Sequence, residues 1–451
     1  MSLASQPDTP ELQQCPFTGG KAPGSTSVNG SEPAAGTVTG TSTADAGPAI
    51  PSDPGVFYDP LSYAAYDHPY ELYKILREKA PVYYNERREL YVVSRYEDVR
   101  AGLRNHEQLS SSLGNDMDGT HASYGAGNLI AVDAPRHTAL RSAVRRVFIG
   151  REILSKEDGI RELARHLLSD LREDGGGDFA NEVALPLAIG AATKMTGLAL
   201  EDSGMLQEHL LRSMVRTVGE FGVPDDAAVS NQEAEEHIAE VFEMRSEEAE
   251  AAGGAVSGAD AITQIILGMH NSKVEPGEQV GLAHLILSAA IDAPAALFTN
   301  LVATLDKFPA FQSRLARDPS LIPAFVEETL RYDTPGQNLC RQTTAEVTIA
   351  GVTIPADSRV MFLQGSANRD DRVFKDPDFF DINREFGASN RIMTFGDGIH
   401  ACLGEPLARL AGRILIETLL EGPEIRVVGF PERWAKQMVR GFSKLPVKFV
   451  D

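Results

Sequence analysis

Ten residues near the C-terminus, Phe395-Gly396-Asp397-Gly398-Ile399-His400-Ala401-Cys402-Leu403-Gly404, constrain this chain more than any other stretch. They form a glycine-punctuated loop that delivers one cysteine to the start of an amphipathic helix, Leu403 to Leu420. The metal-binding form of cysteine is the thiolate, and a helix N-terminus favours that charge through unpaired N–H groups and the positive end of its dipole. Gly396 and Gly398 allow a tight turn and close approach to a flat partner, while the ring of Phe395 can shield the sulfur from water. Such a loop presents sulfur to something planar.

The same ten residues resemble, position by position, the haem-binding loop of the cytochromes P-450, whose pattern is Phe, Gly, any, Gly, any, His or Arg, any, Cys, any, Gly. The resemblance implies one mainly α-helical catalytic domain with a small β-sheet, the cytochrome P-450 fold, over residues 55–451. It also implies that Cys402 is the proximal iron ligand of haem b, iron protoporphyrin IX. A thiolate there pushes electron density onto iron and favours O–O cleavage. The activity implied is a monooxygenase that uses dioxygen to hydroxylate or O-dealkylate a small hydrophobic substrate, aromatic ones included.

Further residues match the family's pattern. Asp133 to Ile149 reads as a helix with Asp133 as N-cap and Pro135 in its first turn. On it His137 and Arg141, four apart, share a face and match the pair that binds the haem propionates. Arg341 and His400 match further propionate contacts. Carboxylates at the edge of a buried porphyrin need cationic donors, and arginine supplies them in fork geometry. Glu328 and Arg331 match the ExxR pair, with Arg384 as its partner, a buried charge network that orients the loop below the haem.

Glu275 to Leu305 has apolar residues at threes and fours and reads as one long buried helix. Its segment Ala289-Ala290-Ile291-Asp292-Ala293-Pro294 aligns with the family's oxygen-binding pattern of small residue, Gly or Ala, any, acid, Thr. Asp292 fills the acid position, but Ala293 stands where threonine is usual. In the family, acid and hydroxyl together hold the water that carries protons to the reacting oxygen. Without the hydroxyl, the expectation is delivery through Asp292 and ordered water or a polar group on the substrate. Pro294 cannot donate to the carbonyl of Ala290, so a kink is expected there, with Ala289 and Ala290 leaving room for dioxygen. A loose match to bacterial aryl ether O-demethylases rests on this acid-and-proline arrangement.

Elsewhere the chain is read from periodicity and breakers. Residues 1 to 54, rich in Gly, Ser, Thr, Ala and Pro, cannot offset their ordering entropy by burial and are expected to be a disordered tail. Helices are expected at Tyr70 to Lys79 and Tyr96 to Arg104, with strands at Val82-Tyr83-Tyr84 and Leu90 to Val93 between them. Val347 to Ile354 and Ser358 to Leu363 read as strands, with Ala350-Gly351 as a turn, and Arg440 to Val447 as a strand pair whose tip would touch substrate. The region from Lys156 to Asn271 is predominantly helical, and by resemblance a mobile lid lies around Phe221 to Asp226.

The formal charge of −22 argues against nucleic acid or an anionic membrane as partner. The most apolar window, Leu282 to Phe298, carries His284, Asp292 and Pro294, which argues against a lipid-facing span, and no signal peptide is evident, so a cytoplasmic protein is expected. Cys15, Cys340 and Cys402 are too dispersed for a zinc site or a disulfide framework.

Within this acidic chain, the run from Arg136 through Arg145, Arg146 and Arg151 is basic and suited to steering an acidic partner. By resemblance it lies on the proximal face, where Arg145, Arg146 and Arg151 would dock a ferredoxin. No dinucleotide-binding GxGxxG follows a strand, so NAD(P)H would act only indirectly, through ferredoxin and ferredoxin reductase. Two alternatives stand beside the monooxygenase: a peroxygenase driven by hydrogen peroxide, and a haem sensor or carrier without turnover.

Overall fold

The strand Leu90–Val93 is buried at all four positions, so its neighbours must cover both faces and both edges. The computed structural model describes residues 55–119, 125–198, 208, 224–251, 258, 260–434, 436 and 438–450. In it, Leu90–Val93 pairs antiparallel with Val82–Asn85 and parallel with Arg359–Phe362. Leu339–Thr343 and Leu109–Ser110 complete a five-stranded sheet. A continuous apolar run, without polar alternation, is the pattern of a strand buried on both faces. Helix Tyr96–Arg104 lies so close on this sheet that a Cβ at Gly102 would sit 2.0 Å from the Phe362 ring.

The rest of the core is helical. Helix Glu405–Leu419 buries Leu407, Leu410, Ala411, Ile414, Leu415 and Leu419 along one stripe. Its outer face is laced by the i,i+4 ion pairs Glu405–Arg409 and Arg413–Glu417. This helix packs on Glu157–Glu173, Ile322–Tyr332 and Asp292–Lys307. Three- and four-residue spacing also yields helices Pro69–Lys79 and Tyr96–Arg104 where periodicity predicts them. The expected tail over residues 1–54, and residues 221–223 of the expected lid, lie outside the described residues; from Asp225 the chain is helical to Ala251.

Three expectations need correction. The long helix is two, Gln279–Ala289 and Asp292–Lys307, separated by a turn at Ala290 and Ile291. Pro294 accounts for this: the carbonyl it cannot bond belongs to Ala290, and the helix restarts so that proline falls in the first turn, where no N–H is needed. Across both pieces, Leu282, Leu287, Ile291, Phe298 and Leu301 are buried in the main hydrophobic cluster.

Asp133 is not a side-chain cap either, because its carboxylate accepts from Ser111 N at 2.9 Å and from Ser110 Oγ at 2.5 Å. The helix begins at Arg136, ends at Val144, and continues as a 3-10 turn to Phe148. At the C-terminus, Arg440 to Val447 is not one strand pair. Phe442–Lys444 pairs with Glu432–Arg433, whereas Pro446–Val450 joins Glu424–Val427 and Gly176–Asp178 in another sheet.

The segment between these strands is tied down by Asp333, just after helix Ile322–Tyr332. Its carboxylate accepts from Arg440 Nε at 2.7 Å, Arg433 Nη2 at 3.1 Å and the Tyr70 hydroxyl at 3.1 Å. Burial opposes ionisation of Asp333, but the cations of Arg433 and Arg440 outweigh it and hold the carboxyl well below the usual carboxylate range. Its stabilising contribution is therefore present above the unfolded pKa of about 4 and is lost as pH falls towards the folded value. Asp333→Ala leaves two buried arginines uncompensated, and a loss of about 3–5 kcal/mol is expected by urea unfolding at pH 7. The deficit relative to wild type should shrink as the pH is lowered below about 4.

Candidate functional site

Cys402 stands between a 3-10 turn at Gly398–His400 and helix Glu405–Leu419. Its N–H donates to the carbonyl of Phe395 at 2.9 Å, closing the loop on itself. Gly396 and Gly398 have φ of 69° and 75°, a left-handed conformation that disfavours side chains. Gly398 is also crowded, but by protein: a Cβ there would lie 2.6 Å from the carbonyl oxygen of Leu103. Asp397 pins the turn by accepting from Gly398 N at 2.7 Å and Arg100 Nε at 3.1 Å. Phe395 is buried, with the Arg409 guanidinium 4.7 Å from its ring centroid.

The Cys402 side chain is accessible, yet desolvation by its surroundings raises its thiol pKa. The backbone N–H groups of Gly404 and Glu405 and the cation of Arg141 favour the thiolate, and Glu405 opposes it. The helix terminus thus supplies the donors expected of it, but burial prevails. A thiolate here needs a cation against the sulfur, which a metal ion provides. An accessible sulfur in desolvated surroundings faces a space inside the protein.

Around that space the structure gathers His137, Arg141, Arg341 and His400. The two imidazole rings lie 4.0 Å apart between centroids. Both nitrogens of His137 and Nε2 of His400 are buried without hydrogen-bond partners. Burial, then Arg141, lowers the His137 pKa to about 4; burial, Arg341, His137 and Arg141 lower that of His400 further. Arg341 is buried and donates to the carbonyl of Cys340 at 2.7 Å. Arg141 donates to the carbonyl of Ala401 at 2.6 Å, so it also braces the cysteine loop.

Partnerless buried donors are costly and are normally satisfied in the working molecule. This donor set lacks an anion and sits beside the sulfur, so it fits a flat group that carries carboxylates at one edge and a metal at its centre.

The loop is held from behind by a buried network. Glu328 and Arg331, both fully buried, form a bidentate pair at 2.7 and 2.8 Å. Arg384 approaches the same carboxylate at 3.3 Å, and Asp381 N donates to it at 2.9 Å. Arg331 also donates to the carbonyls of Asn368 and Pro377 at 3.0 and 2.8 Å. Asn368 then reaches the loop: its Oδ1 accepts from Met393 N at 2.6 Å and its Nδ2 donates to Thr394 Oγ1 at 2.9 Å. No pattern in the sequence marks Asn368 for this function.

On the other side, the turn between the two long helices leaves Ala289 exposed and Ala290, Asp292, Ala293 and Pro294 part-exposed, while Leu287, Ile291 and Ala295 are buried. Asp292 Oδ2 accepts from Lys436 Nζ at 2.6 Å, a partner that sequence reasoning missed because 144 residues separate the two. Asp292 Oδ1 is buried without a hydrogen bond. The basic run divides. Arg136 is neutralised by Glu278 and Glu275, and Arg141 turns inward, whereas Arg145, Arg146 and Arg151 are exposed. The short helix carrying Arg151 packs on the helix that follows Cys402.

Comparison with known proteins identifies the family. The sequence pattern that defines the family described as Cytochrome P450 matches residues 296–447. Cytochrome P450 123 of Mycobacterium bovis is 33% identical over 405 residues, 88% of this chain and 97% of that protein. Erythromycin C-12 hydroxylase of Saccharopolyspora erythraea is 34% identical over 379 residues, 82% of this chain and 92% of that protein. Among solved structures, CalO2 superposes with a TM-score of 0.78 at 27% identity, over 88% of this chain and 99% of its own.

The chain belongs to the cytochrome P450 family. It is a haem b monooxygenase that uses dioxygen and takes NAD(P)H electrons through redox partners. The carrier alternative gives way to the enzyme.

Glu328→Gln removes the carboxylate that pairs with both Arg331 and Arg384. The expected cost is about 3–5 kcal/mol. The purified variant should contain little haem per polypeptide, as measured by pigment absorbance against protein.

Proposed function

We propose that Cys402 would bind the haem iron, that His137, Arg141, Arg341 and His400 would hold its propionates, and that residues 55–451 are the catalytic unit. The observation that carries this reading is the accessible, desolvated sulfur beside the partnerless imidazole nitrogens of His137 and His400 and the cations of Arg141 and Arg341. When bound, the haem supplies oxygen activation, and thiolate ligation favours O–O cleavage. Phe395, Gly396 and Gly404 shape the loop, while Glu328, Arg331 and Arg384 fix it from behind.

Asp292 is the acid that moves protons towards the reacting oxygen, and the small side chains of Ala289, Ala290 and Ala293 leave the space in which dioxygen and substrate meet. Pro294 ends the hydrogen-bond ladder there, which supports an opening beside Asp292. The reaction is hydroxylation or O-dealkylation of a small hydrophobic substrate, aromatic ones included, in the cytoplasm, with no nucleic acid or membrane involved. Ferredoxin and ferredoxin reductase supply the electrons. Ferredoxin docks on the exposed cations Arg145, Arg146 and Arg151.

Cys402→His tests the ligand. Reduced wild-type protein treated with carbon monoxide should absorb far to the red of a histidine-ligated pigment, and the variant should lose that band. Reversing Arg145, Arg146 and Arg151 to Glu should slow electron transfer from ferredoxin and flatten its salt dependence; an unchanged rate would remove them from the interface. Ala293→Thr should raise product formed per NADH consumed. The absent hydroxyl at 293 also favours a peroxide-driven reading, which turnover with hydrogen peroxide alone, as fast as with redox partners, would support.

A further inference from the structure

Lys436 lies in a strap between Arg433 and Arg440, two residues bolted to the same carboxylate. Arg433 and Arg440 both bind Asp333, and Arg433 Nη1 also donates to Asn300 Oδ1 at 3.1 Å. Between them, Met438 accepts from Gln337 N at 2.8 Å, and Val439 bridges Gly336. Gly441 is pressed against helix Asp292–Lys307: a Cβ there would lie 2.6 Å from Ala296 Cα. The strap is thus fixed against that helix one turn beyond Asp292.

From this strap the Lys436 ammonium reaches Asp292 Oδ2 at 2.6 Å and lies 4.7 Å from the centroid of the Trp434 ring. The Asp292 and Lys436 side chains are 15% and 23% exposed, so the pair is largely desolvated without being sealed from water. Asp292 Oδ1 is buried and has no hydrogen bond. One oxygen of the acid is therefore held and the other buried without a partner, next to a residue, Ala293, with no hydroxyl to share the task.

We propose that Lys436 is a positioning residue for Asp292: it clamps Oδ2 and holds the carboxylate so that Oδ1 stays free of protein partners beside Ala293. In this chain the lysine does for the acid's orientation what a neighbouring hydroxyl would otherwise do by sharing its water. The proposal rests on the reading of Asp292 as the proton-delivering acid.

The test compares Lys436→Met, Lys436→Arg, Asp292→Asn and the double variant Lys436→Met/Asp292→Asn in the haem-loaded enzyme. Thermal melting gives a readout independent of turnover. Lys436→Met, which strands a desolvated carboxylate, should lower Tm, and adding Asp292→Asn should recover most of that loss. With redox partners and a converted substrate, Lys436→Met should lower kcat about a hundredfold, the low end for a displaced proton-transfer group, with KM little changed. Lys436→Arg should retain most activity, and Ala293→Thr added to Lys436→Met should restore part of it.

If Asp292→Asn impairs turnover while Lys436→Met does not, the lysine has no such function and the reading of Asp292 stands. A rise in KM with kcat unchanged in Lys436→Met would make Lys436 a substrate contact and overturn the proposal. If neither variant impairs turnover, the reading of Asp292 falls and the proposal with it.

Discussion

Glu328 is a carboxylic side chain buried completely, and the architecture around Cys402 follows from satisfying it. A buried carboxylate is tolerable only when its charge is matched and its lone pairs are filled. Arg331 supplies a fork from the same helix, and the stretch from Asp381 to Arg384 must converge on it to supply an N–H and a second cation. The surplus N–H groups of the two arginines then need acceptors, and they find them in the carbonyls of Asn368, Pro377 and Lys375. Through Asn368 this demand is passed to Met393 and Thr394, the residues that lead into the cysteine loop. The sulfur is held in place by hydrogen-bond accounting carried out several residues away.

A second knot does the same for the opposite side. Asp333 gathers Arg433, Arg440 and Tyr70, while Asn300 donates to the carbonyls of Asp333 and Arg440 at 3.0 and 2.9 Å. Together they lock the C-terminal strap onto helix Asp292–Lys307. Apolar packing has no preferred direction and could not by itself specify where a loop of mixed composition should lie; directional bonds to a buried charge do. The hydrophobic clusters supply the bulk of the driving force, and these two carboxylates supply register.

Near the desolvated sulfur stand the partnerless imidazole nitrogens of His137 and His400 and the cations of Arg141 and Arg341, while a helix interrupted at Ala290 and Ile291 presents small residues and one acid. The interruption is a local consequence of Pro294, and its placement beside the strap is what brings Asp292 and Lys436 within 2.6 Å. The same proline that removes a backbone hydrogen bond thus creates the site at which a side-chain ion pair can form.

Local chemistry was readable in the linear chain wherever the physical cause is local. The left-handed glycines of the loop, the helix Tyr96–Arg104, the hairpin around Glu89, the turn at Ala350 and Gly351, and the three-residue spacing of Glu328 and Arg331 all depend on neighbours within one or two turns. The match of the cysteine loop to its family extended this to His137, Arg141, Arg341, His400 and Arg384, which spacing alone could not connect. What the sequence could not reveal depends on which distant groups share a desolvated space. Lys436 has no periodic relation to Asp292, and Asp133 looks like a helix cap until Ser110 and Ser111 are brought to it. The helix N-terminus promises an ionised thiol, but only the folded surroundings show that burial outweighs it. Covalent neighbours fix backbone preference, whereas the energy of a charge is set by everything around it in three dimensions, and that environment exists only once the chain has folded.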